Sequence, residues 1–356
     1  MNPPPVRLPQ RPHILVRSTN WVGDVILTTP VYRALRRNYP EATITVSGRS
    51  WVADLLKGNP HIDHVITDEG KGLRAMERTA RAVRHIGPVD LGIALPNSFA
   101  SALLLLLAGA RRRVGFATQN RRLLLTHPVA LPPWLADEHQ VEYYLHLIQD
   151  WCADLSDVRR LDLVVAPDDT AAAAEFLART GVPSGAALAA IAPGAAFGTA
   201  KRWPYERYAE LAAHMVQHEG LRVVMVGSKG EGEVAGRITA AVMNMLPPAL
   251  HSWLIDSCGQ LTLRQTAALL QRCRVFITND SGAMHLSAAL DLPQVAIFGP
   301  TDPVTTPPYS RRALLVREPT ECSPCLLRHC PIDHRCMTRV TVGRVIDAVH
   351  QQLHAQ

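Results

Sequence analysis

The stretch "ILVRSTNWVGDVILTTPVYRAL" (residues 14–35) decides how the chain folds. A short, largely apolar run closes at Ser18. Leu27, Val31 and Leu35 then recur at i, i+4 and i+8, the spacing of one helix face. A strand, a turn holding Gly23 and a helix make the opening of a βαβ unit. The pattern continues with "TITVSG" (43–48), "HVIT" (64–67) and "LGIAL" (91–95), each separated by helical segments. Residues 163–185, "LVVAPDDTAAAAEFLARTGVPSG", interrupt it with an alanine-rich helix and a Gly-Val-Pro-Ser-Gly break. A second series follows in "ALAAIAPG" (187–194), "RVVMVGS" (222–228), "RVFITND" (274–280) and "QVAIFGP" (294–300).

This predicts an α/β chain of two Rossmann-like α/β/α domains. We expect a disordered proline-rich tail over 1–12, a first domain over 13–180 and a second over 181–338. The segment 339–356 is expected to form a helix packing back toward the first domain. No close sequence repeat links the halves, so they share architecture only.

The bulk numbers agree. A chain of 356 residues, 47% hydrophobic and 19% charged, can bury two cores. The net charge of +6 suits acidic ligands or an anionic membrane surface. Aromatic content is only 5% and no basic stripe is interleaved with aromatics, so no nucleic-acid partner is expected. "MNPPPVRLPQRPH" lacks the apolar core of a signal peptide, and "ALLLLLAGA" (102–110) is too short to span a bilayer. The expected location is the cytoplasm, where thiols stay reduced.

Open α/β sheets bind ligands at the carboxyl ends of their strands. In "TNDSGAMHLSAAL" (278–290), Asp280 or Ser281 can cap a helix opening near Gly282, with His285 one turn in. Free N–H groups at such a start suit a diphosphate, although an ordinary N-cap with a core histidine has the same spelling. "PGAAFGTAKRWPYERY" (193–208) repeats the strand–loop–helix form and places Lys201 where it can meet a leaving phosphate or stand solvated. Trp203 reads as a packing residue. In "VGSKGEGEVAGRI" (226–238), Glu231 or Glu233 can accept from ribose hydroxyls or complement a helix dipole. No two aspartates lie two positions apart, so the D-x-D metal clamp is missing, and phosphate charge falls to lysine, histidine and helix starts. With phosphate chemistry in the second half, Asp24 in the first is either a general base for an acceptor hydroxyl or a helix cap.

"WVGDVILTTPVYRALRRNYP", "LPNSFASALL", "PGAAFGTAKRWP" and "TNDSGAMHLSAAL" together resemble glycosyltransferase family 9, in order from about residue 13 to about residue 350. "PNSF" with "FGTAKRWP" favours its type II branch. The resemblance implies a GT-B fold with two Rossmann-like domains facing a central cleft. It implies inverting, metal-independent transfer of L-glycero-D-manno-heptose from ADP-heptose to the first heptose of the lipopolysaccharide inner core. No catalytic cofactor is implied. The acceptor is a lipid A–Kdo–heptose glycolipid, which implies peripheral contact with the cytoplasmic face of the inner membrane.

Carried onto this chain, Asp24 matches the base and Lys201 the lysine at the donor diphosphate. Asp280, Ser281, Gly282 and His285 match the donor loop, and Glu231 the ribose-binding acid. Asn97, Ser98 and Arg113 fall to the acceptor. Arg111, Arg112, Arg121 and Arg122 can join Arg113 in meeting acceptor carboxylates and phosphates, or form a solvated basic face. The chain departs from type II relatives at Ala196, where they often carry an acid.

"CSPCLLRHCPIDHRC" sets Cys322, Cys325, Cys330 and Cys336 within fifteen residues. In a reduced chain this favours a structural zinc or iron knuckle over disulfides, with free thiols as the alternative. The competing functions are a family member with another acceptor, either another core heptose or a protein, and a non-catalytic nucleotide-sugar binder. A GT-B epimerase has no motif in its favour.

Overall fold

A computed structural model of the chain describes residues 8–70 and 72–354. The expected tail is therefore described only from residue 8. The chain forms two compact units that meet between Val164 and Val165.

The first unit runs β1 (His13–Arg17), α1 (Val22–Leu27), α2 (Thr29–Asn38), β2 (Thr43–Gly48), α3 (Ser50–Leu56), β3 (His64–Thr67), α4 (Leu73–Ile86), β4 (Leu91–Ala94), α5 (Phe99–Leu107), β5 (Arg112–Phe116), β6 (His127–Val129) and α6 (Gln140–His146). Its sheet is parallel in the order β3-β2-β1-β4-β5-β6. β1 lies between β2 and β4 and is buried along its length, which is why it reads as an apolar run rather than an alternation. β6 is an edge strand, the place where Pro128 is tolerated. The chain moves outward from β1 to β3 and then returns to the other side of β1, so the sheet reverses between β1 and β4. The leucine run lies in α5, with Ala102, Leu104 and Leu105 buried in this unit's core. Among the described residues, no helix is long and apolar enough to cross a membrane.

The second unit runs α7 (Pro167–Arg179), β7 (Leu188–Ala192), α8 (Tyr205–Gln217), β8 (Arg222–Met225), α9 (Gly232–Met245), β9 (Leu254–Asp256), α10 (Leu263–Leu270), β10 (Cys273–Asn279), α11 (Gly282–Ala289), β11 (Gln294–Phe298), β12 (Ala313–Arg317), α12 (Arg335–Thr338) and α13 (Val342–His354). Its order, β12-β11-β10-β7-β8-β9, is the first sheet's order over again and reverses between β7 and β10.

Two boundaries differ from the sequence expectation. The division falls at 164/165 and not at 180/181, because α7 packs on α10 of the second unit. Asp169 fixes that packing: its carboxylate accepts from the Ala166 N–H at 2.9 Å and pairs with Arg264. The closing helix, expected to lean on the first domain, packs on α8 and on β10, β11 and β12. Its stripe of Val345, Ala348 and Val349 is buried in the second unit's own core.

Candidate active site

In the first unit, Asp24 lies in the first turn of α1, just after β1 and beside the sheet reversal. Trp21 holds the N-cap position of α1, so Asp24 is the third helical residue and not the cap. It is half-buried and lies near Tyr144, whose hydroxyl is pushed well above its usual range, first by burial and next by the Asp24 charge. Across the reversal, the segment after β4 supplies Asn97 and Ser98. The Asn97 amide donates to the Tyr143 hydroxyl at 2.6 Å and accepts from Arg121 at 3.0 Å. Ser98 caps α5, accepting from the Ser101 N–H at 3.3 Å.

The arginines divide. Arg121 is fully buried, donating to the carbonyls of Phe116 (2.8 Å) and Pro96 and to the Ser101 hydroxyl, so it braces the β4 and β5 loops. Arg113 does not join the acceptor side. It sits at the start of β5, on the amino edge of the sheet, and donates to the carbonyls of Leu124 (2.6 Å) and Ala110 (2.8 Å). Arg111 and Arg112 share that edge, with Arg111 held by Asp90 at 3.2 Å. Only Arg122 remains exposed at the carboxyl edge, in the turn following β5.

The sequence reading missed a cation at the right edge. Arg17 ends β1 with its side chain 9% exposed, donates to Asn20 and pairs with Asp68 at 3.1 Å. With Arg49 and Ser98 these residues line a cavity of about 250 Å³ at the carboxyl ends of β1 to β4. The signal was available: a charge inside the otherwise apolar "HILVRS".

In the second unit, the loops after β7 and β10 flank the other reversal and are tied together. Asn279 is fully buried. Its amide donates to the carbonyls of Pro193 (2.9 Å) and Gly194 (3.2 Å) and accepts from the Trp203 N–H and the Tyr208 hydroxyl, both at 3.0 Å. This strut was not foreseen; its only trace is an amide ending an apolar strand. Beside it, the Lys201 ammonium donates to Asp280 at 2.6 Å, with the two side chains 13% and 5% exposed. Lys201 also lies 4.9 Å from the centre of the Phe197 ring. Ser281 is the N-cap of α11 without a side-chain cap bond, Gly282 is the first helical residue and His285 is buried one turn in. Lys201, Asp280 and the α11 start thus meet at one place, with a cation and an uncapped helix N-terminus to receive an anion. Trp203 is a packing residue, its indole donating to the Val340 carbonyl at 2.9 Å.

Glu231 reaches the same region and carries a local duty. One oxygen accepts from the Ser228 N–H (2.6 Å) and hydroxyl (2.9 Å), closing a capping box. The other lies against Gly194, where a Cβ would come within 1.4 Å of it.

The cysteine loop packs directly on the turn that carries Lys201. The Ala200 N–H donates to the Arg328 carbonyl at 3.0 Å, and His334 bonds the Ala200 carbonyl at 2.7 Å. Gly198 is required there, since a Cβ would meet the Arg328 carbonyl oxygen at 2.2 Å. Cys336 is buried, and its thiol is pushed up to about 11 by burial, with Cys322, Cys325 and Cys330 adding to the shift. The four thiols are therefore near one another. Among the described residues, however, they form no set of three within 4.8 Å, the spacing that ligands of one ion require.

Comparison with known proteins bears on the family and the fold. The family model "Glycosyltransferase family 9 (heptosyltransferase)" matches residues 78–335. The lipopolysaccharide heptosyltransferase 2 of Salmonella typhimurium is 33% identical over 317 residues, covering 85% of this chain and 87% of that protein. The solved structure of E. coli ADP-heptose lps heptosyltransferase II aligns with a TM-score of 0.81 at 31% identity, over 96% of this chain and 98% of that one. A family 9 glycosyl transferase from Veillonella parvula aligns with a TM-score of 0.83 at 25% identity, over 97% and 98%. The two doubly wound units are those of a GT-B glycosyltransferase, and the chain belongs to glycosyltransferase family 9.

Proposed function

We propose that this glycosyltransferase moves L-glycero-D-manno-heptose from ADP-heptose to the first heptose of the lipopolysaccharide inner core. What carries the reading is a division of chemistry between two equivalent places in two like-ordered sheets. The first reversal holds a carboxylate, which repels phosphate but can take a proton. The second holds a lysine, its orienting aspartate and a helix start, which suit a diphosphate.

The reaction follows from those groups. Asp24 takes the proton of the acceptor hydroxyl as its oxygen bonds to the anomeric carbon. The bond from that carbon to the phosphate oxygen breaks with its electron pair, and ADP leaves. Attack opposite the leaving group inverts the configuration. Negative charge grows on the diphosphate, where Lys201 and the α11 N–H groups gain most of their effect. Glu231 has one oxygen left for a ribose hydroxyl. The 250 Å³ cavity at Arg17 and Arg49 suits an anionic sugar of the acceptor. The lipid part of that acceptor brings the protein to the cytoplasmic membrane face. Leu123, 93% exposed, and Trp134, 55% exposed, offer apolar side chains to it.

The test is incubation of purified protein with ADP-heptose and core acceptors carrying zero, one or two heptoses, read by mass spectrometry. One heptose should be added to the mono-heptosyl acceptor, with and without EDTA, because the sequence has no D-x-D to hold a metal. Transfer confined to a heptose-free core or to a protein would overturn the acceptor assignment. Activity lost to EDTA and restored by magnesium would overturn metal independence.

We further propose that Cys322, Cys325, Cys330 and Cys336 draw together on one structural zinc or iron. The donor set suits either metal, and the loop exposes Leu326, Leu327 and Ile332, so it holds little core of its own. Since the loop bonds to Ala200, serine at any of the four should lower both the melting temperature and ADP affinity. Elemental analysis of protein purified without chelator should find about one zinc or iron per chain at this loop, lost in Cys322→Ser; an unchanged metal content in that variant would refute the site.

A further inference from the structure

His214, Glu219 and His350 lie on the second unit, away from the Lys201 turn. α8 starts beside that turn and runs back along the sheet, so its last turn, with His214, reaches the amino edge. Glu219 follows two residues beyond the α8 end. His350 comes from α13, more than 130 residues later. One ligand atom from each side chain lies within 4.8 Å of the other two.

The three side chains are already gathered, with His350 Nε2 hydrogen-bonded to the Glu219 carboxylate, a bond that an ion would replace. The Glu219 carboxylate oxygen is 2.8 Å from His350 Nε2 and 3.7 Å from His214 Nε2. The ligands of a tetrahedral zinc stand about 3.3 Å apart, given bonds of about 2.0–2.1 Å. Modest side-chain rotation therefore seats an ion at the centre of the three. His214 Nε2 is buried without a hydrogen-bond partner, an orphan that an ion would satisfy. The end of a 13-residue helix carries partial negative charge, which also favours a cation. Both helices are fixed by buried residues next to the ligands, Met215 with Val216 and Ala348 with Val349.

We propose that His214, Glu219 and His350 form a binding site for one borderline divalent metal of the zinc, cobalt or nickel class, with water completing its coordination. Two imidazoles and one carboxylate suit such ions and not magnesium or calcium, which prefer oxygen-only shells. The site is structural. It fastens the C-terminal helix α13 to α8, and in doing so secures the chain leaving Val340, whose carbonyl accepts from Trp203.

The test uses the full chain stripped of metal, with zinc added. At about 100 times its dissociation constant, zinc should raise the melting temperature by about 5–10 °C. Zinc also binds thiols, so the reading is the difference between the parent and His350→Gln. That variant should lose one zinc equivalent by calorimetry and lose that part of the thermal shift. Glu219→Gln should weaken the same site at least about 10-fold, and serves as the second variant if His350→Gln melts poorly without zinc. With cobalt, the absorption lost in His350→Gln should contain no thiolate charge-transfer band. Equal zinc stoichiometry and equal thermal shift in the parent and both variants, or no zinc-dependent shift at all, would overturn the site.

Discussion

Asp24→Asn should lower turnover at least about 100-fold while ADP-heptose binds as in the parent. Asparagine keeps the size and the accepting oxygen of the side chain but cannot take the acceptor's proton. The helix offers a competing role, because a carboxylate in the first turn of α1 favours the helix dipole. That role is worth only about 0.3–1 kcal/mol and would appear as a small loss of melting temperature with turnover intact. The two roles therefore separate on two instruments. Since Trp21 occupies the N-cap, the larger penalty of losing a cap is not in play. Near-normal transfer by Asp24→Asn would remove Asp24 from the mechanism.

The parts of the fold legible in the sequence are those where burial writes a pattern. β1, β2, β4, β7, β10 and β11 are inner strands covered on both faces, and their apolar runs announce them. The short edge strands β6 and β9 carry no such run and were not foreseen; β12 carries one over Ala313–Val316 and was still overlooked, whereas the half-exposed edge strand β3 is legible from its β-branched residues. β5 was missed because it begins with Arg112 and Arg113, and that omission had a consequence for the site. Without knowing that a strand begins there, the sequence could not tell that Arg113 lies at the amino edge of the sheet, away from Asp24. α7 was assigned to the wrong side of the domain break for a related reason. Its partner α10 lies about 90 residues away, and nothing local in an alanine-rich helix says which core it covers.

At the candidate site, residue types were legible and pairings were not. Lys201 and Asp280 were each singled out as donor-site residues, but the bond between them spans 79 positions. The same holds for Asn279, which joins two loops 85 positions apart. Such contacts exist because parallel strands β7 and β10 are neighbours, which is a property of the sheet order and not of any local stretch.

Lys201→Ala should therefore have two effects that need to be told apart. The first is on stability: the variant leaves the Asp280 carboxylate 5% exposed and without its cation. Removing one partner of a buried pair costs about 3–5 kcal/mol, so the melting temperature should fall by several degrees or more. The second is on chemistry: ADP should bind at least about 10-fold more weakly, and turnover should fall further than binding does, because diphosphate charge is greatest in the transition state. The double variant Lys201→Ala with Asp280→Asn distinguishes them. It removes the stranded charge and should recover most of the lost stability, while turnover stays low because no ammonium faces the leaving group. Recovery of turnover in the double variant would mean that Lys201 serves only to neutralise Asp280. Unchanged ADP affinity in Lys201→Ala would mean that the lysine does not face the diphosphate at all.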